Sequence, residues 1–246
     1  METFTNFTDI SNFIKKNRFN CLEIGGPTLL FGDNYPYTIY NLFNEIDNLN
    51  LYDLKDSFIS IKTSNENRMY NTIYSDRSQI DKKYDIVISS HVLEHMANPI
   101  KNLNSYKNLL NDNTNSYILT ILPNKSQFWD SIRPTTEITH IIDDFINNVD
   151  EDDKTHEEEN LLVNHPYKTS INHPDKPANI SYEEMVKNNS NYRIMHHHCF
   201  DLELCIQLHE YSNFETIACF IPPDDPLQII YFGRNTYKHD NKIVNV

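Results

Sequence analysis

The apolar run Phe19-Asn-Cys-Leu-Glu-Ile24 ends directly in Gly25-Gly26-Pro27, and this junction constrains the chain more than any other feature. A short run of this kind reads as a strand. Two adjacent glycines let the backbone adopt positive φ and approach a ligand where a Cβ would clash. A strand that stops in glycines and restarts as a helix is the βα turn of nucleotide-binding folds. The whole chain contains only 4 glycines, so half of them are spent here. A bare Gly-Gly-Pro is most often a plain turn. The strand before it, and Glu23, whose carboxylate could meet the amino group of a bound amino-acid moiety, favour a ligand-binding turn.

The remaining pattern alternates strands with helices. A helix is expected over 8–17 with Thr8 or Asp9 as cap. Strands are expected over 70–75, with Asp76 at the end, and over 84–89, both rich in β-branched and aromatic residues. Asn98-Pro99 opens a helix carrying Ile100, Leu103, Tyr106, Leu109 and Leu110 on one face. Residues 116–122 form the next strand, stopped by Pro123. A helix at 200–211 and strands at 214–220 and 227–233 close the pattern. Repeated βαβ units imply a mostly parallel sheet. Between Asn124 and about Arg193 the rhythm breaks into a polar stretch with prolines, histidines and the acidic run Asp150–Asp153. That stretch leaves a parallel strand at its carboxyl end, the edge where open α/β sheets bind ligands. Residues 124–198 therefore read as a lid or acceptor-binding insertion within one domain spanning 1–246, rather than as a linker.

Bulk properties exclude several classes of function. At 246 residues the chain suits one α/β domain, and a formal charge of −14 with no basic stripe argues against nucleic acid as partner. Cys21, Cys199, Cys205 and Cys219 lack CxxC spacing and read as reduced thiols. METFTNFTDISNF lacks the basic and apolar regions of a signal peptide, and no stretch approaches the roughly 20 apolar residues of a membrane span. The expectation is a cytoplasmic protein with no membrane partner. The oligomeric state is not specified.

A second signal is Tyr84-Asp-Ile-Val-Ile-Ser-Ser-His-Val-Leu-Glu-His95, a buried strand running out into polar groups. His91 and His95, with Glu94 between them, could be a metal pair on a helix. Pocket-lining loop residues are the simpler reading. Together, LEIGG, YDIVISSHVLEHMANP and YILTILPNK resemble the class I S-adenosylmethionine (SAM)-dependent methyltransferases. IRPTTEITHIIDDF, DEDDKTH and NYRIMHHHCFD look like segments of a bacterial subgroup linked with surface-glycan synthesis. The resemblance covers roughly residues 20–233. It implies a Rossmann-like α/β fold with a seven-stranded, mostly parallel sheet, helices on both faces and a lid after strand five. It also implies SAM as cofactor. Carried over, Gly25, Gly26 and Glu23 would hold the methionine end, Asp76 would approach the adenine edge, and Ser90 or His91 would line the far side. The family usually places an acidic residue at the end of strand two for the ribose. That strand is indistinct here, with Asp47 and Asn50 as candidates and Asn41 and Asp53 as rivals. Pro27-Thr28 also replaces the usual third glycine position.

Seven of the 11 histidines lie between His140 and His198: His140, His156, His165, His173, His196, His197 and His198. An imidazole could take a hydroxyl proton as the methyl group arrives, and His140, His156 and His197 are the candidate bases. A divalent metal held by Asp152, Asp153, His156 and one of the triple histidines is the less favoured reading, and no metal ligand is assigned. A third reading has these histidines bridge the insertion to the sheet by hydrogen bonds. Arg133 and Glu137 could orient a polar acceptor or form a surface ion pair, and Trp129 could stack on a sugar or pack in the core. The expected activity is methyl transfer to a small acceptor, with a sugar hydroxyl of a nucleotide-sugar or glycan suggested by the subgroup resemblance alone. The alternative is a non-catalytic SAM- or glycan-binding protein that retains the fold.

Overall fold

The computed structural model describes residues 3–32, 35–50, 70–112, 115–169 and 180–236. Seven strands form one sheet: β1 (Asn20–Ile24), β2 (Glu45–Leu49), β3 (Ile73–Tyr74), β4 (Ile86–Ser90), β5 (Tyr117–Pro123), β6 (Phe214–Phe220) and β7 (Gln228–Asn235). Their order is β3-β2-β1-β4-β5-β7-β6. The first five are parallel, and β7 runs antiparallel to both β5 and β6. The Rossmann-like, mostly parallel seven-stranded fold is as the sequence implied.

Side-chain alternation gives the sheet two apolar faces. Cys21, Ile86, Ile88, Leu119 and Phe232 face a layer supplied by Phe7, Ile10 and Ile14 of helix α1 (Phe7–Asn17) and by Phe31, Tyr37 and Ile39. Leu22, Val87, Ile118, Ile229 and Tyr231 face the other layer. That layer comes from α2 (Pro99–Lys107), from Ile141 of α3 (Ile138–Ile146), and from the helix that precedes β6. Among the described residues no helix is long and apolar enough to cross a membrane.

Several expectations are corrected in detail. The cap of α1 is Asn6, whose side chain accepts from the Asp9 amide while Asp9 bonds back to Asn6, so Asp9 is the third residue of the helix and not its cap. The strand expected over 70–75 is only Ile73–Tyr74, at the sheet edge. Between Gly26 and β2 the described residues contain no α-helix. Thr28 caps a single 3-10 turn, Leu29–Phe31, and a second turn spans Tyr40–Leu42.

The start of α2 is as expected. Asn98 accepts from the Lys101 amide at 3.0 Å, and its Nδ2 donates to the Asp144 carbonyl of α3 at 3.0 Å. Asn98→Ala removes the cap and the tie between the two helices. A loss on the order of 1–2 kcal/mol is expected, a Tm drop of about 3–6 °C by thermal melting. An unchanged Tm would show that neither bond carries weight.

The stretch after β5 is not irregular coil. It carries 3-10 turns at Lys125–Gln127 and Trp129–Ile132, then α3, α4 (Glu157–Leu162), α5 (Pro166–Thr169), α6 (Tyr182–Lys187) and α7 (Asn189–Tyr192), before α8 (Leu202–Tyr211) rejoins the sheet. Tyr182, Val186 and Met195 form a small satellite core there. His173 and Asp53 lie outside the described residues.

Arg133 is buried, not poised for a ligand. Its Nη1 donates to Asp130 at 3.0 Å and to the His196 carbonyl at 2.8 Å, and its Nε donates to Glu159 at 3.0 Å. The fork that could orient an acceptor or form a surface ion pair is engaged inside the protein. Trp129 is half-buried, with its ring against Phe128, His165 and His196.

Candidate active site

A cavity of about 1020 Å³ opens at the carboxyl ends of β1, β2 and β4. Gly25, Gly26 and Pro27 line one side, and Ser90, His91 and His95 line another. Val149, Glu151, Tyr192 and Arg193, all from the stretch after β5, close it further, with Glu151 and Arg193 paired to each other.

The glycine turn is held from below by β2. Gly25 has φ +75° and Gly26 φ +67°. The Gly25 amide donates to Leu49 O at 2.9 Å. Asn48 Nδ2 donates to Gly25 O, and Asn50 Nδ2 donates to Gly26 O at 2.7 Å. Residues two apart on a strand share a face, which is how both amides reach the same turn. A Cβ on Gly26 would lie 2.4 Å from the Glu23 carboxylate, and one on Gly25 would lie 2.8 Å from Val92 Cγ2. The glycines therefore make room for the protein's own side chains as well as for the turn.

Glu23 is fully buried beneath the turn and does not line the cavity. Its carboxylate accepts from Tyr40 Oη at 2.9 Å and from Tyr70 Oη. Tyr40 Oη also accepts from the Thr28 amide at 2.9 Å, which fixes the exit of the turn. Burial pushes the Glu23 pKa up, against the pull of the two tyrosine hydroxyls, to about 7. A carboxyl raised from 4.5 to about 7 holds its proton more tightly in the folded state. Its contribution to stability is full below pH 4.5 and is lost as the pH rises through 7. Glu23→Gln keeps the shape without the charge. Urea unfolding should show the variant level with wild type near pH 4.5 and more stable at pH 8, by on the order of 3 kcal/mol. Parallel pH curves would mean that Glu23 is not the buried acid described.

The other residues singled out divide clearly. Asp47 is buried with Lys82 Nζ at 2.6 Å and Tyr84 Oη at 2.7 Å, and does not reach the cavity. Asn50 lines the cavity at the end of β2, an amide where the resembling family usually has a carboxylate. Asp76 is exposed and caps the 3-10 turn Arg77–Gln79, accepting from the Ser78 amide at 2.7 Å, and its neighbour Arg77 lines the cavity instead. Ser90 is buried, lines the cavity, and its hydroxyl has no partner among the described residues. Tyr40, Tyr70 and Asn48 were not singled out. The spacing Asn48-x-Asn50 beside Glu23 was the available signal, once β2 was placed.

His91 and His95 are the histidines that line the cavity. His91 has φ +53°, with Nε2 at 2.7 Å from Gln228 Oε1 and Nδ1 at 3.3 Å from Glu94 Oε1. Burial works against its charge, but the bond to Glu94 and the Glu94 carboxylate outweigh this and raise its pKa. His95 differs. Its Nδ1 lies 3.0 Å from Met195 O, so that nitrogen carries the proton and Nε2 keeps its lone pair. Burial, then the neighbouring His196, lowers its pKa to about 4, so it is neutral at pH 7.

His140, His156 and His197 do not line the cavity. His140 and His156 meet through their Nε2 atoms at 3.0 Å, and the fully buried His197 has Nε2 at 3.1 Å from Asn189 Nδ2. Asp153 bonds Thr155 and approaches His197, whereas Asp152 is exposed, so the aspartate-centred metal set does not assemble.

Comparison with known proteins follows from this geometry. A family model described as a methyltransferase domain matches residues 13–201. No curated protein matches the sequence significantly. Among solved structures, the trans-methyltransferase CalH in complex with SAH is 13% identical with a TM-score of 0.47, over 92% of this chain and 55% of that one. An O-methyltransferase family 2 protein from Planctomyces limnophilus in complex with apigenin is 9% identical with a TM-score of 0.43, over 88% and 51%. An S-adenosylmethionine-dependent methyltransferase from Mesorhizobium loti is 8% identical with a TM-score of 0.45, over 94% and 100%. The chain thus spans about half the length of the first two. The family match runs from α1 to the start of α8 and takes in the glycine turn, the ends of β2 and β4 and the stretch after β5, so the chain belongs to the methyltransferase-domain family.

Proposed function

We propose that the protein transfers a methyl group from SAM to a hydroxyl of a small acceptor, with a sugar hydroxyl on a nucleotide-sugar or glycan as the acceptor class. The observation that carries this reading is that the Gly25-Gly26 turn, the unpartnered Ser90 hydroxyl and His95, whose Nε2 keeps its lone pair, line one cavity. The sugar class rests on the subgroup resemblance.

The residues fit the cofactor. Asn48 and Asn50 occupy the carbonyls of the glycine turn and fix its backbone, and Asn50, Ser90 and Arg77 offer polar groups along the wall. Bound SAM supplies an electrophilic methyl group on a sulfonium. His91, tied to Glu94 and Gln228, orients the loop after β4. His95 Nε2 takes the hydroxyl proton, which a neutral imidazole does without first losing its own. Residues 124–198 supply Glu151, Tyr192 and Arg193 as the cover that excludes water and positions the acceptor. The buried free thiols Cys21, Cys199 and Cys205 suit the reducing cytoplasm.

The test begins with thermal melting in saturating S-adenosylhomocysteine. Ligand at about 100 times Kd adds roughly 2.7 kcal/mol, a shift on the order of 5–10 °C. Product formation is then followed with nucleotide-sugars, amines and carboxylates as acceptors. Turnover on hydroxyl acceptors that His95→Ala lowers at least tenfold, with the ligand-induced shift kept, supports the reading. No shift at millimolar ligand would sink it in favour of a non-catalytic protein, and turnover confined to amines would sink the hydroxyl assignment.

A further inference from the structure

Away from the cavity, three imidazoles from three separate segments converge on one point. The ring nitrogens of His140, His156 and His198 all lie within 4.8 Å of one another. His140 Nε2 is 3.0 Å from His156 Nε2. Asp144 Oδ2 stands against two of them, 3.4 Å from His140 Nε2 and 3.0 Å from His198 Nε2. Donors about 2.0–2.2 Å from a tetrahedral ion stand roughly 3.3 Å apart, and the His140–His156, His140–Asp144 and Asp144–His198 separations are close to that value. His140 and Asp144 are four apart on α3 and share a face. Glu159 Oε2, held by Arg133, lies 3.8 Å from the other nitrogen of His156, too far for a hydrogen bond.

We propose that His140, Asp144, His156 and His198 form a structural site for a divalent first-row transition ion, with Zn²⁺ as the ion of choice. Three imidazoles and one carboxylate suit such an ion better than Mg²⁺ or Ca²⁺, which take oxygen shells. Four protein ligands close the shell, so the ion fastens α3, the start of α4 and the segment before α8 to one another and takes no part in methyl transfer. His140, with 38% of its side chain exposed, is the side from which the ion enters. The site is built from a different aspartate than the 150–153 run offered.

The test uses the full chain, stripped with a chelator and titrated with Co²⁺ and then Zn²⁺. One equivalent of Co²⁺ should give the intense visible bands of tetrahedral coordination, be displaced by Zn²⁺, and raise the Tm. Asp144→Asn, nearly the same shape, and His140→Ala, at a partly exposed position, should each weaken binding at least tenfold and remove the Zn²⁺-dependent Tm rise. The melting shift given by S-adenosylhomocysteine serves to show that the variants are folded. His95→Ala, which breaks the second convergent group Glu94, His95 and His196, should leave Co²⁺ binding intact. The proposal is overturned if wild type neither binds Co²⁺ nor responds to Zn²⁺, if binding survives both α3 variants, or if it is lost in His95→Ala instead. Each of those results would leave a hydrogen-bonded histidine cluster.

Discussion

Gly26→Ala should lose both stability and cofactor binding. The added Cβ would stand 2.4 Å from a Glu23 carboxylate that cannot withdraw, because Tyr40 and Tyr70 hold both of its oxygens. The backbone at φ +67° adds a left-handed penalty for any residue with a side chain. Together these cost about 3 kcal/mol, a Tm lower by roughly 6–12 °C. The melting shift produced by S-adenosylhomocysteine should vanish, since relief of the clash must displace the turn that lines the cavity. The double variant Gly26→Ala, Glu23→Ala separates the causes. It removes the clash and keeps the backbone penalty, so it should regain part of the stability and show coupling between the two sites. A single variant that melts and binds like wild type would mean that the turn does not sit against Glu23.

Arg133→Met should be the more damaging change to stability. The guanidinium joins Asp130, Glu159 and the His196 carbonyl, two of them from a single nitrogen. Removing one partner of a buried charge network leaves the others uncompensated, at about 3–5 kcal/mol. Arg133→Lys should rescue little, because a single ammonium cannot reach the positions that Nε and Nη1 serve together. Were Arg133 an acceptor-binding residue, both variants would instead keep the wild-type Tm and raise KM for the acceptor. Denaturant unfolding alongside steady-state kinetics decides between the two.

The parts of the fold that were legible are those where local pattern and final environment agree. β1, β4 and β5 are buried on both faces and read as apolar runs, and α2 and α8 carry clear helical spacing. β2 was hidden because Glu45-Ile-Asp-Asn-Leu49 contains only two apolar residues, while its polar ones are buried by distant partners. Asp47 is satisfied by Lys82 and Tyr84, and Asn48 by the glycine turn. No local pattern carries that information. The insertion's helices, from 4 to 9 residues long, were too short for periodicity to show. Gly25, Gly26, Asn50, Ser90 and His91 line the cavity because the strand-to-loop junctions place them there, and the junctions after β1 and β4 are visible in the sequence. The histidines that line the cavity, His91 and His95, lie outside the cluster of seven between His140 and His198, and so His95 was passed over as a candidate base.

The unequal division of apolar surface has a kinetic consequence. The sheet is sandwiched between two broad layers, whereas α4 to α7 rest on a satellite of Tyr182, Val186 and Met195 joined to the rest by polar ties. Few apolar contacts mean a low opening free energy, so this stretch should unfold and reclose as a unit while the sheet stays intact. Amide protons of α4 and α6 should exchange with solvent far sooner than those of β1, β4 and β5.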